Sequence, residues 1–315
     1  MPLINLLSGS CNIGPCVLGL GTFDGFHLGH RALLSELIGQ AREKRLPAVI
    51  FSFDHPPRRI LHPEGFLGEL TTPEEKFSLL LASGVDWVVF RPFDRIFSRT
   101  SPADFICSEI LGQLQAKFVC VGFNFHFGYD RQGCAESLCN DLAGAGSSCL
   151  VIPAVEVGGL TVSSTRIREA IAEGKLELAN RLLGREANFS GVVIHGDHRG
   201  RAMGFPTANL DLEGTAKVLP PRGVYLCMVD TPMGSHHSLV NIGIRPTFQK
   251  IHAILEAHLL DFQGDLYHHT IRVRFQKRLR SEIKFPSQAA LIEQIQIDLK
   301  QARQMIQGMA IISDP

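Results

Sequence analysis

The stretch LGTFDGFHLGHRALL, residues 20–34, places two histidines three positions apart at the end of a glycine-rich segment. A short apolar run typical of a buried strand precedes it, and apolar side chains at helical spacing follow it. Where a strand turns directly into a helix, the first helical turn presents unpaired backbone N–H groups and a partial positive charge. The stretch therefore predicts an anion-binding turn between a strand and a helix.

Five residues of this turn are candidates for binding a phosphate group. Gly21, Gly25 and Gly29 leave the backbone uncovered where a phosphate would approach it. His27 and His30 share one face of the first helical turn, and each can donate an imidazole N–H to a phosphate oxygen. The turn is neither a Walker loop nor a Gly-x-Gly-x-x-Gly fingerprint. A glycine turn with two surface histidines is the plainer alternative, but the histidine pair, the glycines and the strand-to-helix setting together favour phosphate binding.

Short β-branched or aromatic runs alternate with helical patterns over the first 160 residues. Such alternation predicts an α/β domain with a doubly wound parallel sheet. Ligands of these sheets bind beyond the carboxyl ends of the strands. The predicted strands are residues 16–23, 48–53, 86–93, 117–123 and 149–155.

The pattern changes after a helical segment at about residues 166–183. Short strands separated by turn residues then predict an antiparallel β-barrel or sandwich, and a C-terminal helix is predicted at residues 287–306. We expect a sheet domain at residues 1–184 and a barrel domain at 185–310. The predicted strands of the second domain are residues 189–196, 223–230, 237–244, 253–262 and 266–275.

Composition excludes several classes of protein. The chain has 315 residues, and its 31 basic residues balance 31 acidic ones, so no overall charge favours nucleic acid or a membrane surface as a partner. The first residues lack the basic start of a secretory signal, and no apolar run is long enough to cross a membrane. None of the eight cysteines forms a C-x-x-C pair. We therefore expect free thiols in a cytoplasmic protein.

Two motifs of the first half resemble the H-x-G-H nucleotidyltransferases, and FDGFHLGH is most similar to the form in prokaryotic bifunctional riboflavin kinase/FAD synthetases. The second motif is VSSTRIR, residues 162–168, which resembles the S-S-T-x-x-R segment of that family. The resemblance implies that Phe23 and Asp24 contribute to the nucleotide site. It also implies that Ser164 and Thr165 bind phosphate oxygens while capping a helix, and that the Arg168 guanidinium faces the triphosphate.

A third stretch departs from the family pattern. VGFNFHFGYDRQG, residues 121–133, is similar to a segment in which the family has aspartate where this chain has Asn124. The resemblance places Asn124 in the nucleotide site, where an amide forms hydrogen bonds but carries no charge. A smaller departure is FDHPP, residues 53–57, in which the histidine stands one place earlier than in the family.

The second half contains GVVIHGDHRGRAMGFPTANL, residues 191–210, which resembles the riboflavin kinase signature. Backbone N–H groups of the glycine-rich turn would fold over ATP phosphates, and the oxygens of Thr207 and Asn209 suit a Mg²⁺ ion. An ordinary glycine-rich hairpin is the plainer alternative, although it does not explain the whole run. The three glycines of the turn are Gly196, Gly200 and Gly204.

Further segments follow in the order of the riboflavin kinase family. LEAHLLDFQGDLY, residues 255–267, resembles the segment with the catalytic glutamate, which places that role on Glu256. LRSEIKF, residues 279–285, resembles the flavin-side loop, which places Arg280 in the binding site. The family usually has glycine where this chain has His268. Strand alternation puts Glu256 on the face opposite Leu255, where a solvated glutamate would also lie.

The resemblance implies two transferase reactions that use ATP as co-substrate. In the barrel domain, Glu256 would hold the 5′-hydroxyl of riboflavin, which attacks ATP to give FMN. In the sheet domain, the FMN phosphate would attack a second ATP to give FAD, while His27, His30 and Arg168 stabilise the developing charge. Riboflavin, FMN and ATP are the expected small-molecule partners. The sequence leaves the oligomeric state open.

Three alternatives remain at this point. A riboflavin kinase with an impaired adenylyltransferase half would stop at FMN, and Asn124 supports it. A flavin-binding regulator would need neither a metal ligand nor a base. A nucleotidyltransferase for another substrate is disfavoured by the second domain.

Overall fold

The chain folds into two units, each described by itself. The chain leaves the first unit after Arg168 and returns to it for Leu182–Gly184. It then enters the second unit for the last time between residues 184 and 185, which is the predicted boundary. The domain limits themselves stay a prediction. The computed structural model describes residues 3–5, 13–196, 200, 203–246 and 251–313. The first unit contains Met1–Arg168 and Leu182–Gly184, and the second contains Glu169–Arg181 and Arg185–Pro315.

A parallel sheet of six strands forms the first unit, in the order β1-β4-β3-β2-β5-β8. The predicted strand at residues 48–53 has the predicted limits, whereas the edge strand β1 was not predicted because only three residues of an apolar segment form it. The strands are β1 Leu3–Asn5, β2 Cys16–Leu20, β3 Ala48–Phe53, β4 Trp87–Arg91, β5 Ala116–Gly122 and β8 Ser148–Ile152. Two small antiparallel hairpins pair β6 His126–Phe127 with β7 Gly133–Cys134, and β9 Glu156–Val157 with β10 Leu160–Thr161.

The strand order reverses at β2. From β2 the chain builds outward through β3 and β4 on one side, and β5 and β8 lie on the other. The carboxyl ends of β2 and β5 therefore flank the topological switch point, where open α/β sheets bind their ligands. The segment LGTFDGFHLGH begins at the last residue of β2 and so lies at this point.

Helices cover both faces of the sheet. Val17 of β2 packs with apolar residues of α1 and α3, whereas Leu18 packs with residues of the π-helix and α5. The sheet is thus doubly wound, as predicted. The helices of this unit are α1 Leu28–Lys44, α2 Arg58–Leu61, α3 Pro73–Ala82, α4 Pro102–Asp104, the π-helix Phe105–Gln113 and α5 Ala135–Gly144, with 3₁₀ turns at Pro63–Gly65, Phe97–Arg99 and Tyr129–Arg131.

Two helices, α6 Ser164–Ala172 and α7 Leu176–Leu183, replace the single helical segment predicted here. The break occurs at Gly174, whose positive φ of 75° ends the first helix. The long helix α8, Gln288–Ser313, confirms the predicted C-terminal helix. Among the residues that the structure describes, no helix has both the length and the apolar character needed to cross a bilayer.

An antiparallel barrel forms the second unit and closes in the order β11-β12-β15-β14-β13-β16. Leu255 and Ala257 are fully buried, which confirms the alternation predicted for their strand. The strand β12 was not predicted, because it has only four residues and its first two belong to the P-T-A-N segment. The strands are β11 Ala187–Ile194, β12 Ala208–Asp211, β13 Gly223–Thr231, β14 Gly234–Pro246, β15 Ile251–Leu259 and β16 Thr270–Ser281.

Candidate active sites

The signature turn is the segment between β2 and α1, residues 21–30, and its two histidines lie at the start of α1. His27 is the N-cap residue, and its Nδ1 accepts a hydrogen bond from the backbone N–H of His30 at 3.2 Å. The two rings stack with centroids 3.6 Å apart. Since Nδ1 of His27 is the acceptor, the proton of its neutral ring is on Nε2. The predicted histidine pair is therefore preassembled, with His27 only 6% exposed.

The glycines of the turn are constrained by packing as well as by access to the backbone. Gly25 has a φ of +83°, and a Cβ there would lie 2.5 Å from a methyl group of Leu70. A Cβ at Gly21 would press on the ring of Phe23, and one at Gly29 would press on the ring of His27, each at about 3.1–3.2 Å. The turn thus requires small residues whether or not a phosphate is present.

Asp24 is buried and faces the protein interior. Its carboxylate accepts hydrogen bonds from the backbone N–H groups of Leu70 and Thr71 and from the Thr71 hydroxyl, all at about 3.0 Å, and it pairs with Arg168 at 2.5 Å. Phe23 is also fully buried, and its ring lies 5.2 Å from that of His30. Both side chains are buried and support the signature turn from within the protein. The nucleotide contacts predicted for them stay predictions.

Arg168 likewise has partners within the protein. Its Nε donates to the carbonyl oxygen of Gly68 at 2.8 Å, its guanidinium lies 5.4 Å from the centre of the Phe66 ring, and the residue is 7% exposed. The predicted contact with the triphosphate stays a prediction. What the geometry adds is a buried Asp24–Arg168 pair between the signature turn and α6.

The helix cap predicted at Ser164 and Thr165 was wrong. Helix α6 begins at Ser164, so the residue before it is the cap, and the Ser163 hydroxyl accepts from the backbone N–H of Arg166 at 3.3 Å. The Ser164 hydroxyl instead donates to the backbone carbonyl of Asp24 at 2.9 Å. Thr165 is exposed. The segment thus holds the signature turn through its serine and arginine.

Residues 66–76 were missed in the sequence analysis. This segment contacts the signature turn at several points, including a hydrogen bond from the Gly25 N–H to the Thr71 hydroxyl at 3.1 Å. It then enters α3 through a capping box formed by Thr72 and Glu75. The T-x-x-E spacing ahead of an apolar run is a readable signal for that helix start, but nothing in the sequence indicates the contact with Gly25.

Within this segment, Glu69 is 1% exposed and binds a histidine and an arginine. Its Oε1 lies 2.7 Å from Nδ1 of His55 and 2.7 Å from the guanidinium of Arg59. His55 and Arg59 are more exposed and follow β3, so they lie at the carboxyl edge of the sheet. Asn124 follows β5 at the same edge and is exposed, and its backbone carbonyl accepts from His126 at 2.9 Å. The predicted residues of the first half therefore surround one end of the sheet.

In the barrel, three neighbouring strands place polar side chains side by side. Glu256 of β15 pairs in register with Asn209 of β12 on one side and with Asn241 of β14 on the other. Asn209 is 5% exposed, and Glu256 is half-buried. A glutamate between two asparagines on a barrel wall differs from a solvated surface glutamate, and its catalytic role stays a prediction. Asn241 was not predicted as a site residue.

The glycine-rich turn packs against the two predicted metal ligands. A Cβ at Gly196 would lie 2.4 Å from Nδ2 of Asn209, and one at Gly200 would lie 2.4 Å from the carbonyl oxygen of Phe205 and 3.5 Å from the Thr207 hydroxyl. Gly204 has a positive φ of 85°. The other residues of the turn, 197–199 and 201–202, lie outside the described residues.

The donor set at this turn suits Mg²⁺. It consists of the Thr207 hydroxyl and the Asn209 amide oxygen, and magnesium binds such oxygens together with substrate phosphates. Within the described part of the chain, no group of three His, Cys, Asp or Glu side chains could hold a metal ion. A metal at Thr207 and Asn209 would therefore depend on the nucleotide for further ligands.

The segment predicted as the flavin-side loop, residues 279–285, begins inside β16, so Arg280 lies on a strand. Its guanidinium binds the carboxylate of Asp298 on α8, with Nε 3.0 Å from each oxygen and a terminal nitrogen at 2.8 Å. Asp298 is 3% exposed. The role as a ligand contact stays a prediction, and the observed contact fixes α8 to the barrel.

His268 occupies a left-handed conformation with a φ of +65°. This region favours glycine, so the turn keeps the backbone that the family's glycine would adopt. The ring of His268 lies 5.7 Å from that of His195, just before the glycine-rich turn.

Comparison with known proteins matches each unit separately and then the whole chain. The FAD synthetase family matches residues 11–166, and the riboflavin kinase family matches residues 183–306. A bifunctional riboflavin kinase/FMN adenylyltransferase from Escherichia coli is 39% identical over 295 residues, which cover 92% of each chain. The chain belongs to this bifunctional family.

Other relatives agree with this membership. A bifunctional riboflavin kinase/FMN adenylyltransferase from Bacillus subtilis is 34% identical over 290 residues and covers 91% of each chain. The crystal structure of a protein named macrolide-efflux protein, from Streptococcus pneumoniae, is 31% identical with a TM-score of 0.86 and covers 96% of this chain and 99% of that one. That name belongs to that protein, and its structure supports the fold found here. The resemblance to bifunctional riboflavin kinase/FAD synthetases is thus confirmed.

Proposed function

We propose that the chain phosphorylates riboflavin to FMN in the barrel unit and adenylylates FMN to FAD in the sheet unit. Both reactions use ATP, and the second releases pyrophosphate. The observation that carries the proposal is that the family's two signatures fold into two separate polar sites. One is the histidine-lined turn at the switch point of the sheet, and the other is the barrel wall with Glu256.

The kinase reaction requires a nucleophile and an aligned triphosphate. The Glu256 carboxylate accepts the hydrogen bond of the ribityl 5′-hydroxyl and takes its proton as the oxygen attacks the γ-phosphorus of ATP. The bond from that phosphorus to the β,γ-bridging oxygen breaks, and ADP leaves. Asn209 and Asn241 flank Glu256 on the two neighbouring strands. The backbone at Gly196, Gly200 and Gly204 lies beside the nucleotide phosphates. Phosphoryl transfer depends mainly on such positioning and charge stabilisation.

Thr207 and Asn209 would hold Mg²⁺ in the barrel site. A magnesium ion neutralises charge on the β- and γ-phosphates. Gly196 lies directly against the Asn209 amide, which leaves the Asn209 side chain in one confined place. The protein's own contribution would therefore be two neutral oxygen ligands, with the Asn209 amide held between Gly196 and the Thr207 carbonyl.

The adenylylation reaction has an anionic nucleophile and needs no general base. The FMN phosphate attacks the α-phosphorus of ATP, and charge develops on the leaving pyrophosphate. His27 through its Nε2–H and His30 donate to these oxygens, together with the backbone N–H groups at the start of α1. Asp24, Ser164 and Arg168 hold the turn in place, and Arg168 is also a candidate for direct contact with the phosphates.

Chromatography of products from riboflavin and MgATP tests the proposal. We expect FMN to appear first and FAD afterwards, with pyrophosphate equal in amount to FAD. Accumulation of FMN without FAD would favour the kinase-only alternative, which rests on Asn124. Binding of riboflavin without any product would instead support a non-catalytic flavin-binding regulator.

A further inference from the structure

Lys76 is a buried lysine beneath the carboxyl edge of the parallel sheet. It lies in α3, one turn after the Thr72 cap, and is 1% exposed. Lysine is almost never fully buried unless its ammonium has partners. The residue lies outside every motif that the family resemblance identified, and no step of the two reactions described above uses it.

The ammonium of Lys76 contacts the ends of two neighbouring strands. Its Nζ donates to the carbonyl oxygens of Phe53 at 2.5 Å and Asp54 at 3.1 Å, where β3 ends. It also donates to the carbonyl oxygen of Thr22 at 3.3 Å, two residues after β2. The Ser52 hydroxyl reaches the same Thr22 oxygen at 3.1 Å.

These contacts match the capacity of the group. An ammonium has three N–H donors, and three carbonyl oxygens face it here. One of them, the Thr22 carbonyl, belongs to the signature turn, which continues to His27 and His30. The other two belong to the loop that continues to His55. A single side chain thus connects two loops at the edge where the histidine pair lies.

We propose that Lys76 is a positioning residue for adenylylation: its ammonium fixes the start of the signature turn relative to the end of β3. The proposal rests on the adenylylation activity proposed above. It does not require Lys76 to contact substrate. The effect operates through the placement of His27 and His30, because misplacement of a catalytic group by about 1 Å can cost 100-fold in rate.

The burial of Lys76 makes its contacts sensitive to pH. Burial lowers the pKa of Lys76 to about 8, while Asp24, Glu69 and Asp54 oppose that change. Asp24 is itself paired with Arg168, and Glu69 with His55 and Arg59. Above that pH the amine keeps two N–H donors for three carbonyl oxygens, and its lone pair faces one of them.

Adenylylation should therefore weaken as the pH rises through about 8. Loss of the Lys76 proton does not lower the free energy of unfolding over the same pH range. A lysine whose pKa is lower in the folded state than its usual 10.5 binds fewer protons when folded, so its contribution to the free energy of unfolding rises with pH between about 8 and 10.5. Activity and stability change in opposite directions, which a merely structural role does not produce.

The experiment compares wild type, Lys76→Met, Lys76→Arg and the control Lys117→Met in the full chain. Lys117 is an exposed lysine of the same unit. Adenylylation of supplied FMN and phosphorylation of riboflavin are measured from pH 7 to 10 as separate kcat and KM values, with Tm at each pH. The second phosphate ionisation, with a pKa of about 6, is about nine-tenths complete at pH 7 and nearly complete by pH 8.

We expect the wild-type adenylylation kcat to fall as the pH rises through about 8, while the phosphorylation kcat does not follow. Lys76→Met should lower the adenylylation kcat about 10- to 100-fold at pH 7 and leave no alkaline decline. Lys76→Arg should also lack the decline, because its guanidinium stays charged throughout. Lys117→Met should behave as wild type.

A Lys76→Arg enzyme that keeps the wild-type alkaline decline would overturn the proposal, even if Lys76→Met does not fold. A Lys76→Met enzyme with wild-type kcat and pH profile would overturn it as well, and so would a lower Tm with unchanged kcat. Failure of the proposed function is distinguishable, because wild type would then form no FAD from FMN at pH 7.

Discussion

Glu256 is the residue on which the kinase chemistry depends in this account. Its strand neighbours Leu255 and Ala257 are buried in the barrel, so its own side chain lies on the opposite face between Asn209 and Asn241. The sequence predicted the alternation correctly. It could not predict Asn241 as a neighbour, because antiparallel pairing joins residues by register and not by spacing in the chain.

Replacing Glu256 with glutamine keeps the size of the side chain and removes the proton acceptor. We expect Glu256→Gln to lower riboflavin phosphorylation by about 10²- to 10⁴-fold, with FAD formation from supplied FMN unchanged. Initial rates of both reactions, followed by chromatography, check this. Glu177→Gln, at an exposed carboxylate of the same unit, is the control. Parallel loss of both activities would point to misfolding and contradict the role.

The residues around the signature turn divide into two groups that the sequence could not separate. His27 and His30 stack at the start of α1, as their spacing predicted. Phe23, Asp24 and Arg168 are buried beside the turn, and the ligand contacts predicted for them stay predictions. A motif shows only which residue types occur together. A single sequence therefore cannot distinguish a residue that supports the turn from one that contacts the ligand.

Whole elements were predicted with uneven success for a physical reason. Long runs with clear periodicity, such as β3 and α8, were found, whereas β1 and β12 were missed because three or four residues carry no period. The contact between α6 and the signature turn joins residues 144 positions apart. Only the fold brings Arg168 and Asp24 together, so sequence spacing gave no indication of this pair.

The Asp24–Arg168 pair connects α6, the signature turn and the segment before α3. We expect Asp24→Asn to destabilise the sheet unit by about 3–5 kcal/mol, since one charge of a buried pair is left without its partner. Adenylylation should fall while phosphorylation continues. Thermal unfolding and the two activities check this, with the exposed Glu43→Gln as control. An unchanged Tm would contradict the structural role.

For the molecule as a whole, the pattern of predicted strands and helices along the sequence indicated both folds. A parallel sheet was expected from strand–helix alternation and a barrel from the run of short strands, and the structure confirms both. The positions of the motifs within those folds also follow general rules. The signature turn lies at the switch point of the sheet, and the P-T-A-N segment leads into a barrel strand that pairs with the strand of Glu256.

The two reactions occur at two independent sites in the function proposed here, so each should be disabled by its own substitution. His30→Ala should lower adenylylation by about 10²- to 10³-fold, so from riboflavin and MgATP this variant should accumulate FMN. Glu256→Gln should leave riboflavin largely unconverted. The decisive measurement is FAD formation by an equimolar mixture of the two variants. We predict that the mixture converts riboflavin to FAD although neither variant alone does so at an appreciable rate; a mixture that forms no FAD, or a single variant that forms it at the wild-type rate, would contradict the account.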